Sequence, residues 1–157
     1  MNVREAGPGD RAALAAFLRA QWGSEVQAFR GKVVRTTDFP AIVAEKDGSL
    51  VGAATLDVDG DECEIVTLNG VPRGRGIGTV LIEAVMAHAR ERGCRTLRVT
   101  TTNANLDALR FYMRRGFRLA ELRVGAVDRS RELKTGIPLT GLYGIPMHDE
   151  LELEMPL

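Results

Sequence analysis

The sequence predicts an α+β fold in a single domain, with helices flanking a central mixed, mostly antiparallel sheet of about seven strands. Three apolar segments at residues 41–45, 50–58 and 62–68 are joined by tight turns, which indicates antiparallel pairing. A helical pattern and a further strand follow them, which predicts a right-handed parallel connection. At 157 residues, the chain has the length of one ordinary domain.

The first half of the chain predicts a short strand over residues 2–6 and a helix over 11–22. Asp10 is the candidate N-cap of this helix, and Gly23 the residue that ends it. Residues 24–39 lack a clear period, and we expect a solvated loop with a short helix there. The turn between the first two strands of the meander is centred on Asp47-Gly48, a strong hairpin signal.

The helix after residue 76 has a continuous apolar face, which includes His88 and ends before Gly93. We interpret His88 as a packing residue of that face. A strand over 96–101 follows, and then a helix that starts near Asn105 and ends at Gly116.

The last part of the chain predicts a long strand over 117–127 and a final strand over 150–157. Residues 128–149 form a long connection without periodicity, rich in proline and glycine. Because this connection also contains several apolar side chains, we expect an ordered loop that lies over a surface of the domain. These side chains are Ile137, Leu139, Leu142, Tyr143 and Ile145.

Composition argues against several classes of function. The 21 acidic and 21 basic residues balance, so there is no global field to attract nucleic acid or an anionic membrane. No apolar run approaches the roughly 20 residues that span a bilayer, and the N-terminus lacks the apolar core of a signal peptide. Cys63 and Cys94 have no metal-ligand spacing, and we expect two buried thiols in a reducing cytoplasm. The sequence predicts no metal site.

The most informative stretch is residues 71–79, which read VPRGRGIGT between an apolar strand and an amphipathic helix. Alternate glycines allow backbone N–H groups to approach a ligand, and the helix N-terminus adds unsatisfied N–H groups and a positive dipole end. This combination predicts a pyrophosphate-binding loop. The spacing fits neither a P-loop nor a dinucleotide fingerprint. A glycine-rich turn with two solvated arginines is the alternative.

A second motif, between residues 100 and 117, has Asn105 at the start of a helix and Ala108 three residues later. Phe111-Tyr112 and Gly116-Phe117 follow. Together with the R-x-x-G-x-G pattern of Arg73, Gly76 and Gly78, this motif resembles the GNAT acetyltransferases. The resemblance covers about residues 1–127 and 150–157. Residues 128–149 resemble an insertion of a poorly characterised bacterial branch.

The resemblance implies acetyl-CoA as the acetyl donor and a sheet that is splayed at the acetyl-CoA site. It implies that Tyr112 protonates the departing thiolate, which suits a phenol with an ordinary pKa of about 10. The alternative is that Tyr112 is one more aromatic residue of the core. The resemblance also makes residues 24–39 a candidate wall of the acceptor cleft. The cofactor-binding residues implied are Thr67 and Leu68 on the splayed strand, Val71, Arg73, Gly74, Arg75, Gly76, Ile77, Gly78 and Thr79 in the loop, and Asn105, Ala108 and Tyr112 near the thiol.

The general base is predicted less directly. Glu64 lies nine residues before Arg73, an offset at which some acetyltransferases carry a catalytic glutamate. Glu62 should share its face of the strand, because side chains alternate. Glu64, Glu62 and a water chain all remain candidates.

These observations favour an N-acetyltransferase that acts on a primary amine by direct attack in a ternary complex. The acceptor is a small molecule or a peptide or protein N-terminus. The alternative is a catalytically silent CoA-binding sensor or interaction module. Tyr143, His148, Asp149 and Glu150 are candidates for the acceptor side, and the alternative is a plain turn into the last strand. A homodimer is left open.

Overall fold

The computed structural model describes all 157 residues. In chain order its strands are β1 (Asn2–Glu5), β2 (Val26–Phe29), β3 (Lys32–Arg35), β4 (Ala41–Lys46), β5 (Ser49–Asp59), β6 (Glu62–Gly70), β7 (Thr96–Thr102), β8 (Arg118–Arg123) and β9 (Glu150–Pro156). The helices are α1 (Arg11–Trp22), α2 (Ile77–Glu91), α3 (Leu106–Met113) and α4 (Ala126–Leu133). None of these helices is both long enough and apolar enough to cross a membrane.

Seven strands form one sheet in the order β1-β4-β5-β6-β7-β9-β8, and β2 and β3 form a separate two-stranded sheet. The pairs β1–β4, β4–β5, β5–β6 and β8–β9 are antiparallel. The predicted α+β class, with a mostly antiparallel sheet of seven strands, is confirmed.

The chain divides into two compact units, and the first comprises Met1–Gln27, Val34–Leu97 and Leu157. In this unit α1 packs on one face of the sheet, where its buried leucines meet Ala41, Val43 and Ala53. The start of α2 lies on the opposite face, because Ile77 lies against Gly52, the neighbour of Ala53 on β5. The core of this unit is therefore built on both faces of the β4–β5–β6 meander.

The second unit comprises Ala28–Val33 and Arg98–Pro156. Arg123 on β8 donates to Glu152 Oε1 on the neighbouring β9 at 3.0 Å and reaches across it to Thr100 Oγ1 on β7 at 2.8 Å. Glu152 is buried and Arg123 is half-buried, so this ion pair is partly shielded from solvent. Charged side chains thus stabilise one face of β9, while Leu153, the next residue along, is buried in the apolar core of the unit.

The structure corrects the prediction for the segment after residue 117. The expected strand over 117–127 is shorter, because β8 ends at Arg123 and α4 begins at Ala126. Helix α4 was missed because it has only eight residues, and four of them are charged. So short a segment with few apolar side chains gives too few positions to recognise a helical period.

The prediction for residues 24–39 is corrected in part. These residues contain the β2–β3 hairpin in place of a solvated loop, and a short 3-10 helix follows at Thr36–Asp38. Asp10 occupies the predicted N-cap position of α1, but its side chain makes no capping hydrogen bond to that helix. Its carboxylate accepts instead from the backbone N–H of Gly7 at 2.7 Å and from Arg4 at 2.7 and 2.9 Å.

Several local predictions are confirmed. Asp47 and Gly48 both have positive φ, as a two-residue hairpin turn requires, and Gly23 ends α1. His88 is buried on α2, and its Nδ1 lies 3.0 Å from Oε1 of Glu5. Cys63 and Cys94 are buried free thiols.

Candidate active site

The loop before α2 is open to solvent, since residues 71–76 are all exposed. Gly76 is the N-cap of α2 with φ 79° and ψ 2°, a left-handed conformation that glycine adopts without strain. The first N–H groups of a helix have no intrahelical acceptor, and the first turn of α2 carries no acidic side chain to compete for them. Arg73 and Arg75 lie in the exposed loop. These features fit a bound anion of the pyrophosphate type.

The position of this loop depends on two glycines that the sequence analysis did not single out. Gly52 on β5 and Gly70 on β6 are paired across the two strands. A Cβ on either glycine would lie 2.7 Å from Cγ2 of Ile77, the first residue of α2. The paired glycines therefore allow the start of α2 to lie directly on the sheet.

Strand β6 has an irregular register halfway along its length. Leu56 pairs with Ile65 and Thr55 pairs with Thr67, so Val66 is an extra residue in β6 and forms a β-bulge. Side chains of directly opposed residues lie on the same face. Glu64, which is opposite Asp57, therefore faces the same side as Thr67.

That face is the one on which α1 packs, and several polar groups of β6 are directed to it. Glu64 is only 4% exposed. Thr67 is also buried, and its hydroxyl lies 2.7 Å from the hydroxyl of Thr55. Glu62 is opposite Asp59, which confirms that Glu62 and Glu64 share a face. Leu68, on the other face, is half-buried.

An exposed tryptophan borders this polar face. Trp22 is the last residue of α1, and its indole N–H donates to Oδ1 of Asn69 on β6 at 2.8 Å. Asn69 lies between Leu68 and Gly70, just before the loop. No sequence motif points to this pair, because the two residues are 47 positions apart.

In the second unit, Asn105 is the N-cap of α3, and its Oδ1 accepts a hydrogen bond from the backbone N–H of Ala108 at 3.1 Å. The predicted helix start is therefore confirmed. Tyr112 lies one turn beyond Ala108, on the same side of the helix. The three residues of the second motif thus share one face of α3.

Tyr112 is 6% exposed, and its ring packs edge-on against Phe111 and Phe117 with centroid separations of 5.2 Å. Burial raises the pKa of Tyr112 above its usual range, because the phenolate would lose its hydration. Tyr112 is consequently protonated throughout the neutral pH range. This state is needed by a proton donor and is equally compatible with a core aromatic residue.

The connection after β8 is ordered around Asn103 and Arg131. Asn103 Nδ2 donates to the carbonyl oxygen of Pro146 at 2.9 Å, and its Oδ1 accepts from the backbone N–H groups of His148 and Asp149 at 3.0 and 3.1 Å. Arg131 on α4 donates to the carbonyl oxygens of Pro138 and Met147. The expectation of an ordered loop is confirmed for residues 134–149.

The model of the acetyltransferase (GNAT) family matches residues 11–117 of the chain. The chain belongs to this family. The match includes both the 71–79 loop and the Asn105–Tyr112 motif, so the resemblance inferred from these residues is confirmed.

Among its relatives is YxbD, an uncharacterised protein of Bacillus subtilis, which is 36% identical over 141 residues, 89% of each chain. A GNAT acetyltransferase from Elizabethkingia anophelis with acetyl-CoA bound superposes with a TM-score of 0.70 at 20% identity and covers 99% of this chain and 97% of its own. An acetyltransferase from Bacillus subtilis in complex with CoA has a TM-score of 0.73 at 15% identity, covering 99% and 98%. At such identities the likeness is one of fold.

Within the GNAT fold of this chain, no group of three or more histidine, cysteine, aspartate or glutamate side chains is arranged to hold a metal ion. The buried side chains that can exchange a proton include Glu64 and Tyr112, and also His88, Glu152 and the two cysteines.

Proposed function

We propose that the protein is an N-acetyltransferase, which transfers an acetyl group from acetyl-CoA to a primary amine of a small molecule or of a peptide or protein N-terminus. The observation that carries the proposal is the exposed 71–76 loop, which leads into an α2 N-terminus capped by Gly76 and free of acidic residues. Family membership and neighbours of the same fold with acetyl-CoA or CoA bound support it.

Binding is assigned to two sets of residues. The N–H groups at the start of α2, with Arg73 and Arg75, hold the pyrophosphate of the donor through charge-assisted hydrogen bonds. The backbone of Thr67 and Leu68 holds the pantetheine arm. Asn105 and Ala108 lie toward the thiol end, with the side-chain oxygen of Asn105 already fixed by its capping bond.

When bound, acetyl-CoA supplies an acetyl group that is activated as a thioester. Glu64 accepts the proton that the acceptor nitrogen loses as the new C–N bond forms, directly or through water. Tyr112 holds a proton that it can donate to the sulfur as the C–S bond breaks. The acceptor nitrogen thus loses one proton to Glu64 and the sulfur gains one proton from Tyr112. Glu64 then releases a proton to solvent and Tyr112 takes one up, so both side chains regain their starting states.

Two measurements test the proposal in sequence. Isothermal titration with acetyl-CoA tests the donor site, and an absence of binding at millimolar concentration contradicts the proposal. Release of free CoA is then followed in the presence of a panel of primary amines, with the acetylated product identified by mass spectrometry. Acetyl-CoA binding without transfer to any amine would instead support a catalytically silent CoA-binding module.

A further inference from the structure

Residues 139–147 fold into a short hairpin, here called the 139–147 hairpin. Thr140 and Pro146 form an isolated antiparallel bridge. The backbone N–H of Gly141 donates to the carbonyl oxygen of Ile145 at 2.8 Å, and that of Met147 donates to Leu139 at 2.9 Å. The tip of this hairpin is therefore fixed by its own backbone.

The hairpin lies directly against the beginning of α3. A Cβ added to Gly141 would lie 2.7 Å from Cβ of Ala104, the residue before Asn105. Asn103 holds the other strand of the hairpin through the carbonyl oxygen of Pro146. These contacts place the hairpin tip beside the end of α3 that carries Asn105.

The tip presents a large apolar surface to solvent. Tyr143 is 69% exposed, and Leu139 and Leu142 are 73% and 40% exposed. Residues 135–147 contain no charged side chain. An apolar surface of this kind, held rigidly beside a candidate active site, suggests a binding role.

One carboxylate lies at the edge of this surface. The Tyr143 hydroxyl donates to Oδ1 of Asp107 at 2.5 Å, and Asp107 is in the first turn of α3. The hydrogen bond fixes the phenol ring and the carboxylate next to each other. An aromatic ring and a carboxylate attract the same class of ligand, an organic cation, through cation–π and ionic interactions.

We propose that Tyr143 and Asp107 bind a second positive charge on the acceptor, so that the preferred acceptor is a small diamine with an apolar spacer. The proposal rests on the proposed function, which puts Asn105 and Ala108 toward the thiol end of the donor, where the acceptor amine attacks. Asp107 accepts the Tyr143 hydroxyl and the ligand ammonium together, because an ionised carboxylate accommodates about four hydrogen bonds. The exposed leucines of the hairpin contact the spacer.

The test compares two acceptors of the same length that differ in charge, 1,4-diaminobutane and 4-amino-1-butanol, at saturating acetyl-CoA. We expect kcat/KM for the diamine to be higher by roughly tenfold, mainly through KM, since such cation contacts contribute about 1–2 kcal/mol. The ratio should fall toward one in Asp107→Asn and in Tyr143→Leu. Tyr143→Phe keeps the ring, so it should retain part of the preference. Glu132→Gln, which neutralises an exposed carboxylate on α4, is the matched control and should keep the full ratio.

Equal kcat/KM for the two acceptors, or a ratio that the Asp107 and Tyr143 variants leave unchanged, overturns the proposal. A peptide N-terminus without a second charge that outperforms the diamine also overturns it.

A second readout needs no turnover. The diamine is titrated into the isotope-labelled protein, with and without CoA, and the backbone amides of Leu142, Tyr143 and Gly144 are followed by NMR. These signals should shift in the wild type and stay in place in Asp107→Asn, whereas unmoved signals in the wild type overturn the cation site. If acetyl-CoA fails to bind in the calorimeter, the proposed function fails, yet this titration still decides the cation site.

Discussion

Replacing Gly70 by alanine places a methyl group where α2 meets the sheet. The new carbon would lie 2.7 Å from Cγ2 and 2.8 Å from Cβ of Ile77. Ordinary carbon–carbon contacts are about 3.5–4.0 Å, so Ile77 has to retreat by about 1 Å. Because Ile77 is the first residue of α2, this retreat moves the N–H groups that form the anion site.

This movement should lower both the stability of the protein and its affinity for acetyl-CoA. Overpacking of this kind costs about 1–3 kcal/mol, which for a domain of this size lowers the melting temperature by roughly 2–12 °C. Displacing the helix start should also weaken about one charge-assisted hydrogen bond to the pyrophosphate, worth about 1.5–3 kcal/mol. The Kd for acetyl-CoA should therefore rise roughly ten- to hundredfold.

The assay is isothermal titration with acetyl-CoA, together with thermal unfolding followed by circular dichroism. Gly9→Ala is the matched control, because no atom lies within 4 Å of a Cβ added there. An unchanged Kd and an unchanged melting temperature in Gly70→Ala would refute the reasoning altogether. A lower melting temperature with an unchanged Kd would show that the glycine pair serves packing alone.

Three further predictions concern single side chains. Tyr112→Phe should lower kcat roughly hundredfold, the usual contribution of a general acid, and leave the Kd for acetyl-CoA unchanged in calorimetry. Glu64→Gln should lower kcat/KM and remove the acidic limb of its pH profile, whereas an unchanged profile would assign the base to another group. Arg4, and then the N–H of Gly7, hold the pKa of Asp10 at about 2. Because this pKa is depressed, the stabilisation is fully present above the unfolded pKa of about 3.9 and is lost as the pH falls toward 2. The melting temperature of the wild type should therefore fall more steeply between about pH 4 and pH 2 than that of Asp10→Asn.

The parts of the fold that the sequence predicted correctly are those with local causes. The Asp47-Gly48 turn needs only two adjacent residues with positive φ, and the 71–79 loop needs only glycines before an apolar helix. Helix α4 was missed because it has eight residues, four of them charged, and because Arg131 makes its contacts with carbonyl oxygens outside the helix, those of Pro138 and Met147.

The parts of the candidate site that the sequence did not predict depend on residues far apart in the chain. Gly52 and Gly70 become neighbours only through the β5–β6 register. Trp22 meets Asn69, and Tyr143 meets Asp107, across separations of 47 and 36 residues. A single sequence does not mark such pairs, since even a residue that it singles out, such as Tyr143, carries no sign of its distant partner.

The bulge at Val66 separates the bend of β6 from the face on which its later side chains lie, two properties that normally change together when a residue is deleted. In a regular strand, deleting one residue exchanges the two faces for everything beyond the deletion. At Val66 the extra residue is unpaired, so its deletion would leave Glu64 and Thr67 on the side of α1 and would remove only the local bend. A chain shortened by this one residue would therefore report what the curvature of β6 contributes to the protein, with the order of its side chains preserved.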